Sequence, residues 1–357
     1  MEHVDKLIER IAEATSQLAP LSQLSAGMPL APVQPLQSLI QHLQSTNVHD
    51  VYFPFVRFAA LHAARVATAW AAMTHTRGGN PGVLQDLFGF LTVSWGGGTV
   101  AAMLTSTPPA WLISPTPWLI YPAVYALLIP TGMALFIVQT APTLPFNLAM
   151  SVVDGMARGV AITAVPTLVA NSTVAAGGWW ATAILGAVAT NGGGWVVQLL
   201  GLSHARWTIG RPNILGGGIL GTLDVWGAML CSIVYCALTR TYSELAPVTD
   251  FLAQHIPDEL RDAKAAGPVS NDTARAIAVL LLTGLFAARV ITTQVLAWRK
   301  APRRVQTKVE PPVKNSNTAA AVVVKTPVEK SGLESATSSP KPRKRKTKSK
   351  TKSPGPE

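Results

Sequence analysis

Seven runs of mostly apolar residues, at 51–75, 83–106, 116–138, 145–168, 178–201, 214–239 and 273–298, constrain this chain more than any other feature. A helix needs about 20 such residues to cross a bilayer, so each run predicts a spanning helix and together they predict an all-α membrane protein. The first run is the weakest, because it carries Arg57, His62 and Arg65. The third holds Pro117, Pro122 and Pro130, which membrane helices tolerate when neighbours re-satisfy the freed carbonyls. Six or eight spans are the competing counts.

Composition supports a membrane class. The chain is 48% hydrophobic and only 13% charged, against about a quarter charged in soluble domains. Its net charge of +11 is not spread evenly. From Arg299 onward, 16 Lys and Arg face 4 Glu, a net of +12, which leaves the first 298 residues near −1. An almost neutral apolar body, 51–298, therefore lies between a polar segment, 1–50, and a basic tail, 299–357, whose Lys/Ser/Thr/Pro content predicts disorder. Segment 1–50 offers one amphipathic helix, with Val4, Leu7, Ile8 and Ile11 on one face, followed by a Pro/Gln/Leu linker; it reads as a loosely ordered extension without a signal-peptide pattern. Cys231 and Cys236 share one apolar run and read as inert buried thiols.

Orientation follows from the short-loop cations. With the N-terminus luminal, Arg77, Arg206, Arg211 and the basic tail face the cytosol. The loop 240–272, where Arg240, Arg261 and Lys264 are outnumbered by six acids, then faces the lumen. The two glycosylation acceptors, Asn171-Ser-Thr and Asn271-Asp-Thr, fall on that same side.

Two runs contain the same oddity. SWGGGTVAAML (94–104) and TNGGGWVVQLL (190–200) each carry three consecutive glycines in an apolar setting, although Gly costs roughly 1 kcal/mol against Ala inside a helix. Laying 96–113 over 192–209 gives seven identities without a gap, including Trp111 with Trp207 and Ile113 with Ile209. The same offset pairs run one with four, two with five and three with six, and lays His62 over Arg158. A unit of three crossings must enter its second copy from the opposite side, so 51–138 and 145–239 read as inverted repeats with 273–298 outside them. The triplets Gly96-Gly97-Gly98 and Gly192-Gly193-Gly194 then read as paired hinges whose kinked backbone, with Ser94, Thr190 and Asn191 beside it, lines a water-filled path. Close packing of helices through small residues is the alternative.

Ionisable residues inside a membrane are expensive and point to function. Asp154 and Arg158 stand four residues apart on the fourth run and can neutralise each other. Gly155, Gly159 and Pro166 suggest that their helix bends. Arg57, His62 and Arg65 on the first run, Asp224 on the sixth and Arg289 on the seventh complete the set, with buried ion pairs and snorkelling as the bland reading. No cluster of His or carboxylates has metal spacing, and the GGG runs lack the strand, Lys and Ser/Thr context of a phosphate loop. An enzyme is not expected, and neither is a cofactor. The tail run Lys341-Pro-Arg343-Lys344-Arg345-Lys346 suits an anionic lipid or an import receptor, with nucleic acid least favoured, or serves as a plain positive-inside tail. Ser339-Pro340 and Ser353-Pro354 flank it, so phosphorylation there would weaken lipid attraction.

The span pattern, WGGG and NGGG, and Leu148-Ala149-Met150 entering the fourth helix after a Pro-containing loop together resemble the trimeric intracellular cation channels, the TRIC family, over about residues 50–298. In animal members the fourth helix opens on a basic Lys-Glu-Val-x-Arg-x-x-Lys motif tied to gating and phosphoinositide binding. Here that stretch reads Ser151-Val-Val-Asp-Gly-Met-Ala-Arg158, with Arg158 alone basic, as in a divergent, fungal-type relative. The resemblance implies a homotrimer of the endoplasmic reticulum or nuclear envelope, with a pore for K⁺ in each subunit. Its fluxes would offset charge moved when Ca²⁺ leaves a store. It also implies a path between spans one, two, four and five, gated at Arg158, with a phosphoinositide as candidate ligand. A secondary transporter and a non-conducting anchor with a recruiting tail are the rivals.

Overall fold

A computed structural model describes residues 32–79, 81–173 and 177–300, all within the compact unit Met1–Pro302. The predicted helix around Val4 to Ile11 and the basic run Lys341–Lys346 lie outside the described residues.

Helices form at each apolar run. In chain order they are α1 Val33–Ser45, α2 Arg57–Thr74, α3 Val83–Leu104, α4 Ala110–Ile113, α5 Thr116–Leu128, α6 Met133–Thr140, α7 Thr143–Ala170, α8 Trp179–Leu199, α9 Gly218–Gly221, α10 Leu223–Leu238, α11 Ala246–His255 and α12 Asn271–Lys300. A two-stranded antiparallel hairpin, β1 Asn47–His49 and β2 Phe53–Val56, links α1 to α2. Among the described residues, three helices are long and apolar enough to cross a membrane alone: Val83–Leu104, Thr143–Ala170 and Asn271–Ala297. Two bent pairs, α5 with α6 and α10 with the segment Ser243–His255, raise the number to five. Arg57, His62 and Arg65 dilute the hydropathy of α2, while Asn191, Gln198 and the glycines dilute that of α8.

Three departures from expectation have local causes. The third run is broken, bending by 63° between α5 and α6. Pro130 withholds a donor there and Gly132 takes a left-handed φ of 74°. The sixth run becomes continuous helix only at Leu223, because Pro212 and Gly216-Gly217-Gly218 reduce its start to a 3-10 turn and the single turn of α9. The presumed linker after residue 32 is instead α1. Leu36, Ile40 and Leu43 pack with Phe58, Leu61, Met156 and Val279, and Gln41 bonds Asp272 at 3.1 Å.

Glycine governs how the long helices meet. α3 and α8 run unbroken through their triplets and cross there. A Cβ on Gly96 would lie 2.8 Å from the Gly193 Cα, one on Gly193 would lie 2.5 Å from the Val93 carbonyl, and one on Gly97 would run into the Ala189 carbonyl. The triplets are therefore not hinges. They are the contact at which two backbones touch, the small-residue packing of membrane helices. Gly155 and Gly159 do likewise, seating α7 against Thr283 and Val279 of α12. Spaced four apart, they present a flat strip rather than a bend.

Helix ends recur at the offset found in the sequence. α2 ends at Thr74 and α7 at Ala170, which are 96 apart, and α3 begins at Val83 and α8 at Trp179, again 96 apart.

Candidate functional site

The polar side chains of α2, α7, α8, α10 and α12 converge. On α7, Asp154 and Arg158 do not pair with each other. Asp154 accepts from Arg65 of α2 at 2.7 Å. Arg158 donates to Asp224 of α10 at 2.8 Å and to Oδ1 of Asn191 on α8 at 2.6 Å. Asp224 also accepts from Arg289 of α12 at 2.5 Å. Pairing Asp154 with Arg158 would leave Arg65 without a counter-charge, at several kcal/mol for a buried ion. Pairing across helices distributes two carboxylates over three guanidiniums instead. The ring of Phe286 lies 5.2 Å from Cζ of Arg158 and 5.1 Å from Cζ of Arg289, within cation–π range.

Asn191 is a buried strut. Its amide nitrogen donates to the carbonyls of Ala187 and Asp224, at 2.9 and 2.8 Å, while its oxygen holds Arg158. His62 shares a 2.7 Å hydrogen bond with the Tyr121 hydroxyl. The Ser94 and Thr190 hydroxyls donate to their own helices, to the Phe90 and Gly186 carbonyls. The Ser94 oxygen keeps acceptor capacity, while that of Thr190 accepts from Asn191 Nδ2 at 3.0 Å.

The adjoining space consists of two cavities placed back to back. One, of about 580 Å³, is mostly apolar and takes in Ser94, Gly97, Gly98, Trp111, Tyr121 and Gly193. The other, of about 430 Å³, is charged and takes in Arg65, Asp154, Asn191, Gly194, Asp224 and Arg289. His62, Val93, Ala157, Arg158 and Thr190 line both. They come from α2, α3, α7 and α8, and form a collar between the two spaces. Gly96 and Gly192 line neither cavity and serve the helix crossing. Because the helices stay unbroken, the triplet carbonyls remain in the helical ladder rather than facing the path.

Sequence reasoning noted Arg65, Asp224 and Arg289 as buried charges without assigning them to the site. Their i,i+4 neighbours gave no clue to partners on other helices. Tyr121 and Phe286 carry no sequence signal beyond hydrophobic periodicity. Among the described residues, no group of three His, Cys, Asp or Glu side chains is placed to hold a metal. Cys231 and Cys236 are free and buried.

No protein-family model and no curated protein matches this chain. Among solved structures it is similar to a chain from "Structural basis for conductance through TRIC cation channels", with 19% identity and a TM-score of 0.43, covering 76% of this chain and 100% of that one.

Proposed function

We propose that the protein is a seven-span membrane channel for monovalent cations, K⁺ above all. Its two inverted three-helix repeats would extend over 51–138 and 145–239, with α12 as the seventh span. The observation that carries this reading is the pair of cavities meeting at one collar of α2, α3, α7 and α8 residues. Such a collar is short enough for a change in a few side chains to join the two spaces. Arg158 is its fixed charge. In the charged cavity three arginines outnumber two aspartates, so cations meet a barrier while Arg158 stays in place. Release of Arg158 from Asp224 and Asn191, out of the collar, opens the path.

The short-loop cations support a luminal N-terminus and a cytosolic tail. The sequence resemblance supports a homotrimer in the endoplasmic reticulum or nuclear envelope, carrying counter-ion current during Ca²⁺ release. Anionic lipid, phosphoinositide included, is the partner that suits Arg158 and the run Lys341–Lys346.

Purified full-length protein in a planar bilayer tests the proposal. Unitary K⁺ currents are expected, with open probability raised by Arg158→Ala. The same cavity charge favours a second reading, a carrier for an anionic solute, because alternating access also needs two spaces separated by a thin collar. Slow, saturable flux without unitary currents would replace the channel with that carrier. An anchor would be indicated if deleting 300–357 abolished function while Arg158→Ala and Gly193→Leu had no effect.

A further inference from the structure

The seventh span has no counterpart in the 96-residue repeat, yet it contributes two of the groups around Arg158. Asp224 is divided between two cations: Oδ1 accepts from Arg158 at 2.8 Å and Oδ2 from Arg289 at 2.5 Å. Phe286, one turn before Arg289 on α12, has both guanidiniums within about 5 Å of its ring. Side-chain exposures of 27% for Arg158, 27% for Asp224 and 28% for Arg289 put the trio at the wall of the charged cavity, not in the sealed core.

We infer that Arg289, with Phe286, is a positioning residue for Arg158. By occupying one oxygen of Asp224, it limits that carboxylate to a single hydrogen bond with Arg158 and so sets how readily Arg158 leaves the collar. An undivided carboxylate accepts a guanidinium through both oxygens, the stronger bidentate geometry. Removing the Arg289 cation therefore tightens the hold on Arg158. Removing the Asp224 charge has the opposite effect. Two guanidiniums then repel each other beside one ring, and Arg158 keeps only Asn191 and Phe286. This inference rests on reading the collar as a conduction gate, and it predicts effects of opposite sign from the two partners of a single salt-bridge network.

The test is single-channel recording of the full-length protein, with open probability separated from unitary conductance. Arg289→Gln should lower open probability about threefold or more, the scale of a partly exposed ion pair, and Arg289→Lys should restore part of the loss. Asp224→Asn should raise open probability. Changes in the same direction for Arg289→Gln and Asp224→Asn, or no change, overturn the inference. If Asp224→Asn does not fold, Arg289→Gln alone decides it, because an unchanged or raised open probability is fatal. A readout independent of conduction is the thermal-unfolding coupling between Arg158→Gln and Asp224→Asn. That coupling should be larger in the Arg289→Gln background than in the wild-type background; an equal or smaller one also overturns the inference. If the wild type carries no unitary current, the channel reading falls and the coupling measurement still decides the role of Arg289.

Discussion

Asp86 and Asp224 are both aspartates held by arginine among the helices, but they are solvated in opposite ways. Asp86 is 5% exposed, with one cation and two neutral donors: Arg77 at 2.5 Å, Trp70 Nε1 at 3.0 Å and the Tyr125 hydroxyl at 2.7 Å. Charge is balanced one to one, and Asp86 lines neither cavity of the candidate site. Asp224 faces a cavity with two cations on one carboxylate. A closed, balanced cluster ties α2, α3 and α5 together. In the open cluster two arginines share one carboxylate at the wall of a cavity. Burial of an ion pair is thus no mark of function by itself; the proposed function rests on the unequal pairing beside a cavity.

Breaking the closed cluster should give the largest effect. Asp86→Ala strands Arg77 and two buried donors, so a loss of about 3–5 kcal/mol is expected, read as thermal unfolding in detergent, with unitary conductance of the folded fraction unchanged. A loss under about 1 kcal/mol, below the range for a broken buried pair, would erase the contrast with Asp224. Next comes the helix crossing. Gly97→Val forces a side chain into the Ala189 carbonyl, an overpacking of about 1–3 kcal/mol or more, whereas Gly98→Ala meets nothing within 4 Å and should be tolerated. If the two substitutions cost the same, the triplet is not a contact surface.

Asp224→Asn should destabilise less than Asp86→Ala, by about 1–2 kcal/mol after allowance for solvent screening, while changing conduction more. Equal rank in both assays would merge the two clusters into one class. Tyr121→Phe removes the partner of His62 and should lower stability by about 1 kcal/mol, which chemical unfolding can resolve. The smallest effect belongs to the exposed pair Arg240 and Asp250, 3.5 Å apart. There, Arg240→Ala should stay within about 0.5 kcal/mol.

Much of the helical course was legible from the apolar runs, because a membrane demands long hydrophobic segments whatever their neighbours are. The 96-residue offset was legible too, and it reappears in the ends of α2 and α7 and the starts of α3 and α8. Helix α1 was hidden by composition. Its Pro, Gln and Leu read as a linker, and only the groove formed by α2, α7 and α12 makes Leu36, Ile40 and Leu43 a buried face. The glycine triplets stood out, but their meaning was inverted. Three glycines look like a weak helix in one dimension and act as a seat for another backbone in three.

The charged residues show the same limit. Arg65, Asp154, Arg158, Asp224 and Arg289 are conspicuous in apolar sequence, and the cost of burying each one predicts that it has a partner. Which partner it takes depends on distances between helices that are far apart in the chain, such as the 2.7 Å between Arg65 and Asp154. The sequence by itself determined where apolar helices form, that two of them share a glycine triplet, and that charges are buried among them, since hydrophobicity and desolvation act on each segment alone. Only the tertiary structure decided that the triplets meet as a crossing and that Asp224 divides itself between Arg158 and Arg289. Only there do two cavities share a collar, because contact and charge pairing are properties of helices brought side by side.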